Sequence, residues 1–478
     1  MRLRIFHTND IHSNFDFLKR VHAYLAEHKR EEDFYFDSGD FSDLKNLITH
    51  ANYGVMGLKL LSSTFLDTVS FGNNELDQGL GAIEQLLATA APIVTTNLRK
   101  AGLEQKLDLL SPKILEEIKG LTAEEDLPKI PDLASSFVLE RAGKRFLILG
   151  LVPYYAEDLI TDSYNSFFLL GNLRTINPIK ALRDELEKRK GQFDFVILLS
   201  HSGYLVDQKI LREIPEIDCC LGGHCHHVIS EGKYSQSGRG EYLGMMTLEV
   251  DEVGIRIVGN EQIDLPEQEN PAFDRLYGEV LQESLNLLSD ELEMCEELDF
   301  DPFAECTLIN FICDALLKEM GGDLALMHHG IAEGPLKSPL SKQKLIECFP
   351  SKLNPTLFPV KGSDLQAAVK QSFLPEIFRQ EGKGAGFRGK VLGTLGFSHN
   401  VRVRKEPFSL QVDGQEVEDD RMYMLAADDY LQRGTGYSSL RTADRQSTYH
   451  RYFICDLVEE YLSDQELFSS AKVKRTIY

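Results

Sequence analysis

The chain has 478 residues, 42% hydrophobic and 26% charged, a length that exceeds one ordinary core and predicts two or three domains of a soluble globular enzyme. Its formal net charge of −24 argues against a broad face for long nucleic acid, which needs clustered Lys and Arg to displace counterions. Small phosphorylated substrates stay open, because metal ions can supply positive charge locally.

The opening stretch, MRLRIFHTND, lacks the apolar core of a secretory signal, and no run of about 18 apolar residues occurs elsewhere, so neither a membrane span nor a membrane partner is expected. Eight cysteines without a CxxC pair fit reduced thiols and a cytoplasmic location. Nothing in the sequence sets an oligomeric state. Strands are predicted at LRIFHT, DFYFDSG, TVSFGN, PIVTTN, FLILGLVP, DFVILLSHSG and DCCLGGH, with helical periodicity over 15–32 and 173–191 between them. Near-continuous apolar strands alternating with helices predict a layered α/β fold. Hairpin alternation over 242–265 marks the end of a first domain, 1–265. The acidic stretch 266–300 is predicted as a linking helix, and 301–478 as a second α/β domain.

Metal-capable side chains fall at the ends of the predicted strands: Asp10 and His12, Asp37 and Asp40, Asn73, His201, and His224 with His226. Strand C-termini of α/β sheets share one rim where ligands gather. A single Asp there is usually a cap or turn residue, and a single His is usually structural. The ordered series DxH, GD, GN, SH, GGHxH is what points to a metal site. Its mixture of carboxylate, amide and imidazole donors suits Mn, Zn, Fe or Co rather than Ca alone.

The motifs FHTNDIHS, DSGD, GNNELDQG, LLSHSG and GGHCHH resemble those of the two-domain 5′-nucleotidases among the calcineurin-like metallophosphoesterases. ECTLINFICDALLKEMGGDLALMHHGI and DDYLQRGTGY are similar to the C-terminal nucleotide-binding domain of that family. The resemblance implies a four-layer αββα sandwich followed by a C-terminal α/β domain. It implies two divalent metal ions, one held by Asp10, His12, Asp40 and His226, the other by Asp40, Asn73, His201 and His224, with Asp40 bridging. Hydrolysis of nucleotides or small phosphate esters would then follow by attack of a metal-bridging hydroxide, the cations lying about 3.5–4 Å apart.

Three departures from the family pattern stand out. Asn74 occupies the place of a usual His, with Asp77 in the place of its Asp partner; both are carried over as catalytic candidates. An amide donates a hydrogen bond but protonates nothing at neutral pH, which favours better leaving groups such as anhydrides or cyclic phosphates. His328, His329 or His399 offers an alternative acid. Ala332 stands where Arg is usual, and Thr435 where Asp is usual. Tyr430 and Phe397 are candidate base-stacking residues, with core packing equally open for Phe397; His328 and His329 complete the substrate-binding candidates. The competing readings are a weakly active nucleotide-binding protein that kept its metal site, and an oligonucleotide phosphodiesterase.

Overall fold

The computed structural model describes residues 1–101, 109–110, 127–154, 163–252, 254–382, 384 and 386–477. The chain forms two compact units. The first takes residues 1–104, 122–160 and 167–285; the second takes 105–121, 161–166 and 286–478.

Two large sheets build the first unit, beside a short pair formed by Leu98–Lys100 and Leu173–Thr175. In chain order the strands of the large sheets are β1 (Arg2–Thr8), β2 (Phe34–Asp37), β3 (Thr68–Val69), β4 (Ser136–Arg141), β5 (Lys144–Leu151) and β6 (Phe195–Ser200). They continue as β7 (Cys219–Gly222), β8 (Val228–Glu231), β9 (Tyr234–Ser237), β10 (Leu243–Val250) and β11 (Ile255–Ile263). One sheet has the order β11-β10-β1-β2-β3 and the other β8-β9-β7-β6-β5-β4.

Alternation along the strands sets the layers, because successive side chains point to opposite faces. Leu3 and Ile5 of β1 pack with Phe34, Phe146, Ile197 and Leu221 in a core shared by both sheets. Phe6, from the other face of β1, joins Phe17, Leu18 and Val21 of helix α1 (Phe15–His28). On the far side, Leu147, Leu149, Val196 and Leu198 pack against Leu182 and Leu186 of α2 (Pro178–Lys188) and Ile210 of α3 (Tyr204–Glu213). The sequence of layers is therefore helix, sheet, sheet, helix, as the family pattern implies.

Two predicted elements differ. PIVTTN is not a ladder strand. Val69 bridges Ile93, then Thr95 N–H donates to Ala134 O and Thr96 N–H to Gly150 O, so the segment passes from one sheet to the other and pairs fully with neither. The stretch 173–191 divides into a short strand, Leu173–Thr175, and α2, because Asn177 caps Ile179 and Lys180 and Pro178 takes the first helical turn.

Within 266–300 lies a helix, Pro271–Leu287, whose Phe273 and Val280 are buried in the core of the first unit. The second unit centres on a six-stranded sheet that includes Leu324–His328, Pro355–Lys361, Leu395–Phe397 and Met422–Asp428. Leu109–Leu110, from the first half of the chain, forms its edge by pairing with Tyr449 and His450. The helix Thr307–Met320 is apolar and buried on almost every side, as expected of a helix enclosed by a core. Among the described residues no helix is long and apolar enough to cross a membrane.

Candidate metal centre

The strands β1, β2 and β3 run parallel, as do β5, β6, β7 and β9, so their C-terminal loops leave at common edges. Backbone hydrogen bonds join the first two loops: Asp10 N–H donates to Gly39 O and His12 N–H to Asp40 O, both at 2.9 Å. Ser38 ties the two sheets together. Its hydroxyl donates to Leu221 O, and its carbonyl lies 2.8 Å from His201 Nδ1. Two close approaches require glycine. A Cβ on Gly72 would lie 2.1 Å from Asp40 Oδ1, and one on Gly223 2.8 Å from His201 Nδ1.

Each of the two central carboxylates is anchored mainly through one oxygen, although the His224 N–H also lies 3.2 Å from Asp10 Oδ1. Asp10 Oδ2 accepts from Asn9 Nδ2 at 2.6 Å and His224 N–H at 2.9 Å. Its Oδ1 faces His226 Nε2 at 3.4 Å, His201 Nε2 at 3.6 Å and His12 Nε2 at 3.8 Å. Asp40 Oδ1 accepts from Asn74 N–H at 2.8 Å, and its Oδ2 faces His201 Nε2 at 3.3 Å and His12 Nε2 at 3.9 Å. Asn73 Oδ1 meets His224 Nδ1 at 3.0 Å. Two groups could each hold an ion: Asp10, His12 and His226; and Asp10, Asp40 and His201. These groups contain five of the seven sequence candidates and share Asp10, where the resemblance implied Asp40 as the shared ligand; Asn73 and His224 adjoin them through the His224 N–H on Asp10 and the contact between Asn73 Oδ1 and His224 Nδ1.

Three observations fit a cation here. His201 Nε2 is fully buried and makes no well-aligned hydrogen bond, while Nδ1 donates to the Ser38 carbonyl, so Nε2 is the nitrogen that faces the carboxylates. Two carboxylates buried side by side repel unless a positive charge lies between them. Asp10, His12, Asp40, His224 and His226 all have positive φ, from 47° to 75°, a backbone state that Asp and His tolerate better than most residues and that gathers at functional sites.

Electrostatics in the site follow burial and charge. Burial depresses the His201 imidazole, but the charges of Asp40 and Asp10 outweigh it and hold the group up to about 10. Burial, then the His201 charge, pushes His224 down to about 4. Asp40 is raised by burial, yet the His201 charge, with smaller help from His12 and Asn74 N–H, brings it below its ordinary value. Asp37, the other aspartate of DSGD, is turned away: it accepts from Thr8 Oγ1 at 2.6 Å and Gly39 N–H at 2.9 Å.

Sequence reasoning gave Glu75 no role. Its buried carboxylate accepts from Gly72 N–H (2.8 Å), Asp40 N–H (3.0 Å) and Ser42 N–H (3.0 Å), fastening the Asp40 loop to the Asn73 loop. The available signal was a Glu three residues after Gly72, the spacing with which a side chain reaches back to a helix start. Asp77 closes that short helix, its N–H donating to Asn73 O at 2.9 Å.

The substrate-binding candidates lie in the second unit and divide. His328 Nε2 lies 2.9 Å from Asp428 Oδ2, both side chains fully buried, and its ring packs against Tyr430 at 5.3 Å and Phe387 at 5.5 Å. Phe387 and Tyr430 pack on one another at 4.9 Å and 33°, so Tyr430's aromatic companion is Phe387 rather than Phe397. The glycine-rich run EGKGAGF was the missed signal: Gly384, at φ +135°, lies so close to Tyr430 that its Cβ would be 3.2 Å from the ring. Phe397 is a core residue, 1% exposed and opposite Leu326 in the sheet. His329 is also fully buried, its Nδ1 2.6 Å from Asp301 O. Neither His328 nor His329 presents a ring to solvent, so a role as an outward-facing acid does not fit their burial. His399 is half-exposed, 3.3 Å from Asp314.

The profile of the calcineurin-like phosphoesterase family matches residues 3–228, and that of the 5′-nucleotidase C-terminal domain matches residues 293–442. The chain belongs to the two-domain 5′-nucleotidase-like proteins of the calcineurin-like metallophosphoesterases. It is 25% identical to an uncharacterised metallophosphoesterase of Bacillus subtilis, YunD, over 96% of this chain and 98% of that one. It is 25% identical to the 5′-nucleotidase of Mus musculus over 66% of this chain and 59% of that protein. Among solved structures, the NAD nucleotidase of Haemophilus influenzae superposes with a TM-score of 0.62 at 13% identity, covering 97% of this chain and 96% of that one.

Proposed function

We propose that this protein is a dimetal phosphohydrolase of nucleotides or related small phosphate esters, with phosphoanhydrides preferred over simple monophosphates. The observation that carries the reading is the pair of overlapping groups, Asp10 with His12 and His226 and Asp10 with Asp40 and His201, with the buried His201 Nε2 facing both carboxylates. Asp10, His12, Asp40 and His226 would hold one cation, and Asp40, Asn73, His201 and His224 the other. Bound there, divalent cations supply Lewis acidity toward a phosphoryl oxygen and lower the pKa of water.

The chain's own residues account for the rest. Asp10 and Asp40 supply the negative charge that recruits the cations, each fixed mainly through one oxygen. The Ser38 carbonyl holds His201 in the tautomer a metal ligand needs. Asn74 has no proton to give a departing alkoxide, which supports substrates whose leaving group departs as a stabilised anion. Tyr430, with Phe387 packed against it, is the aromatic residue we assign to base recognition.

A manganese-supplemented screen tests the reading, following by chromatography the products formed from a nucleoside monophosphate, a nucleoside diphosphate, a sugar nucleotide and a single-stranded oligonucleotide. Turnover of the diphosphate or sugar nucleotide above the monophosphate is expected. Preference for the monophosphate removes the leaving-group part, and cleavage of the oligonucleotide alone replaces the reading with a phosphodiesterase.

A further inference from the structure

Asn74 occupies the second position of the short helix Asn73–Leu76, and each of its polar atoms has a partner. Its backbone N–H donates to Asp40 Oδ1 at 2.8 Å. Its Nδ2 donates to the Ser42 carbonyl at 2.8 Å and lies 2.9 Å from His12 Nδ1. Its Oδ1 accepts from Asn73 Nδ2 at 3.1 Å, and its carbonyl accepts from Gln78 Nε2 at 3.3 Å. One residue therefore touches Asp40, His12 and Asn73, which arrive on three different loops.

The orientation of the amide is determined. A carbonyl oxygen only accepts, so the atom facing Ser42 O must be the nitrogen, and the oxygen must face Asn73. That oxygen then settles the neighbouring amide in turn. Asn73 has to present its NH2 to Asn74, which directs its own Oδ1 toward His224 and the rim. An asparagine binds a hard or borderline cation through oxygen, never through its NH2, so the orientation of Asn73 decides whether it can act as a ligand.

We infer that Asn74 is a positioning residue for the metal centre, whose side chain fixes the ligand atom of Asn73 and whose backbone N–H anchors one oxygen of Asp40, rather than a group that acts on substrate. The inference rests on the dimetal reading above. The two ends of the Asn74 amide are held by protein neighbours, Nδ2 by the Ser42 carbonyl and Oδ1 by the Asn73 amide.

The test compares manganese binding by wild type, Asn74→Ala and Asn74→Gln, followed through the EPR signal of free Mn²⁺, with apo melting temperatures recorded alongside. Removal of a residue that orients metal ligands typically weakens affinity about 10–100-fold. That loss is expected in both variants, with apo melting little changed and with turnover recovering at saturating manganese. Asn74→Gln keeps the same groups one methylene out of place, so it carries the test if Asn74→Ala folds poorly. Asn74→His, which leaves no amide oxygen for Asn73, should lose manganese affinity likewise, and affinity equal to wild type would overturn the inference. Equal manganese affinity in wild type and Asn74→Ala would also overturn it. A wild-type protein that binds no manganese would instead bring down the dimetal reading itself.

Discussion

Histidines end strands in both units, yet the two units use them in opposite ways. In the first, His201, His224 and His226 follow parallel strands and gather at an edge with Asp10 and Asp40, where His201 Nε2 faces both carboxylates. In the second, His328 and His329 end the strand Leu324–His328 but turn inward, one against Asp428 and the other against the Asp301 carbonyl. The same side chain is a candidate ligand where several loops supply carboxylates around it, and a packing residue where one carboxylate and two aromatic rings enclose it.

Substitutions can break this contrast. Asp40→Ala should have the largest effect: loss of bound manganese and a fall in phosphate release on the order of 10³-fold, since metal stabilisation of transition-state charge is worth several kcal/mol. Metal analysis with a phosphate assay checks it. Asp428→Ala should leave manganese content intact while destabilising the second unit by about 2–4 kcal/mol, because it strips a buried partner from His328 and the cap from Leu431 N–H. Faster hydrogen exchange across Leu324–His328 would show this; loss of metal instead would erase the distinction.

Metal addition sharpens the comparison from the other side. Manganese at 100 times its dissociation constant should stabilise the first unit by about 2.7 kcal/mol, protecting the strands before His201 and His224 from exchange. The smallest effect concerns pH. Burial pushes His329 down to about 4, against about 6.5 in an unfolded chain. The unfolded state then takes up the proton first, so stability is full above pH 6.5 and declines as pH falls toward 4. Between pH 7 and 5 the loss is on the order of 1–2 kcal/mol. His329→Gln should flatten the slope measured by denaturant unfolding, and an unchanged slope would assign the acid sensitivity elsewhere.

Much of the site was legible because strand alternation and parallel order are local properties with a shared geometric outcome. Asp10, His12, Asp40, Asn73, His201, His224 and His226 could be named from their places after apolar strands. Orientation was not legible. DSGD offers two aspartates, and only the contacts of Thr8 and Gly39 with Asp37 leave Asp40 as the one facing the rim. Phe397 reads as well as Phe387 for an aromatic wall. Sheet pairing buried the first, and a glycine-rich loop laid the second against Tyr430.

The sequence by itself determined the strands, the α/β layering and the inventory of possible ligands, since hydrophobic period and residue chemistry are properties of short segments. The tertiary structure decided which oxygen or nitrogen each residue presents, and whether an asparagine serves the substrate or its neighbours. Those choices depend on partners more than 30 residues away, such as Ser42 for Asn74 and Ser38 for His201, and hydrogen-bond direction is fixed only when both partners are in place.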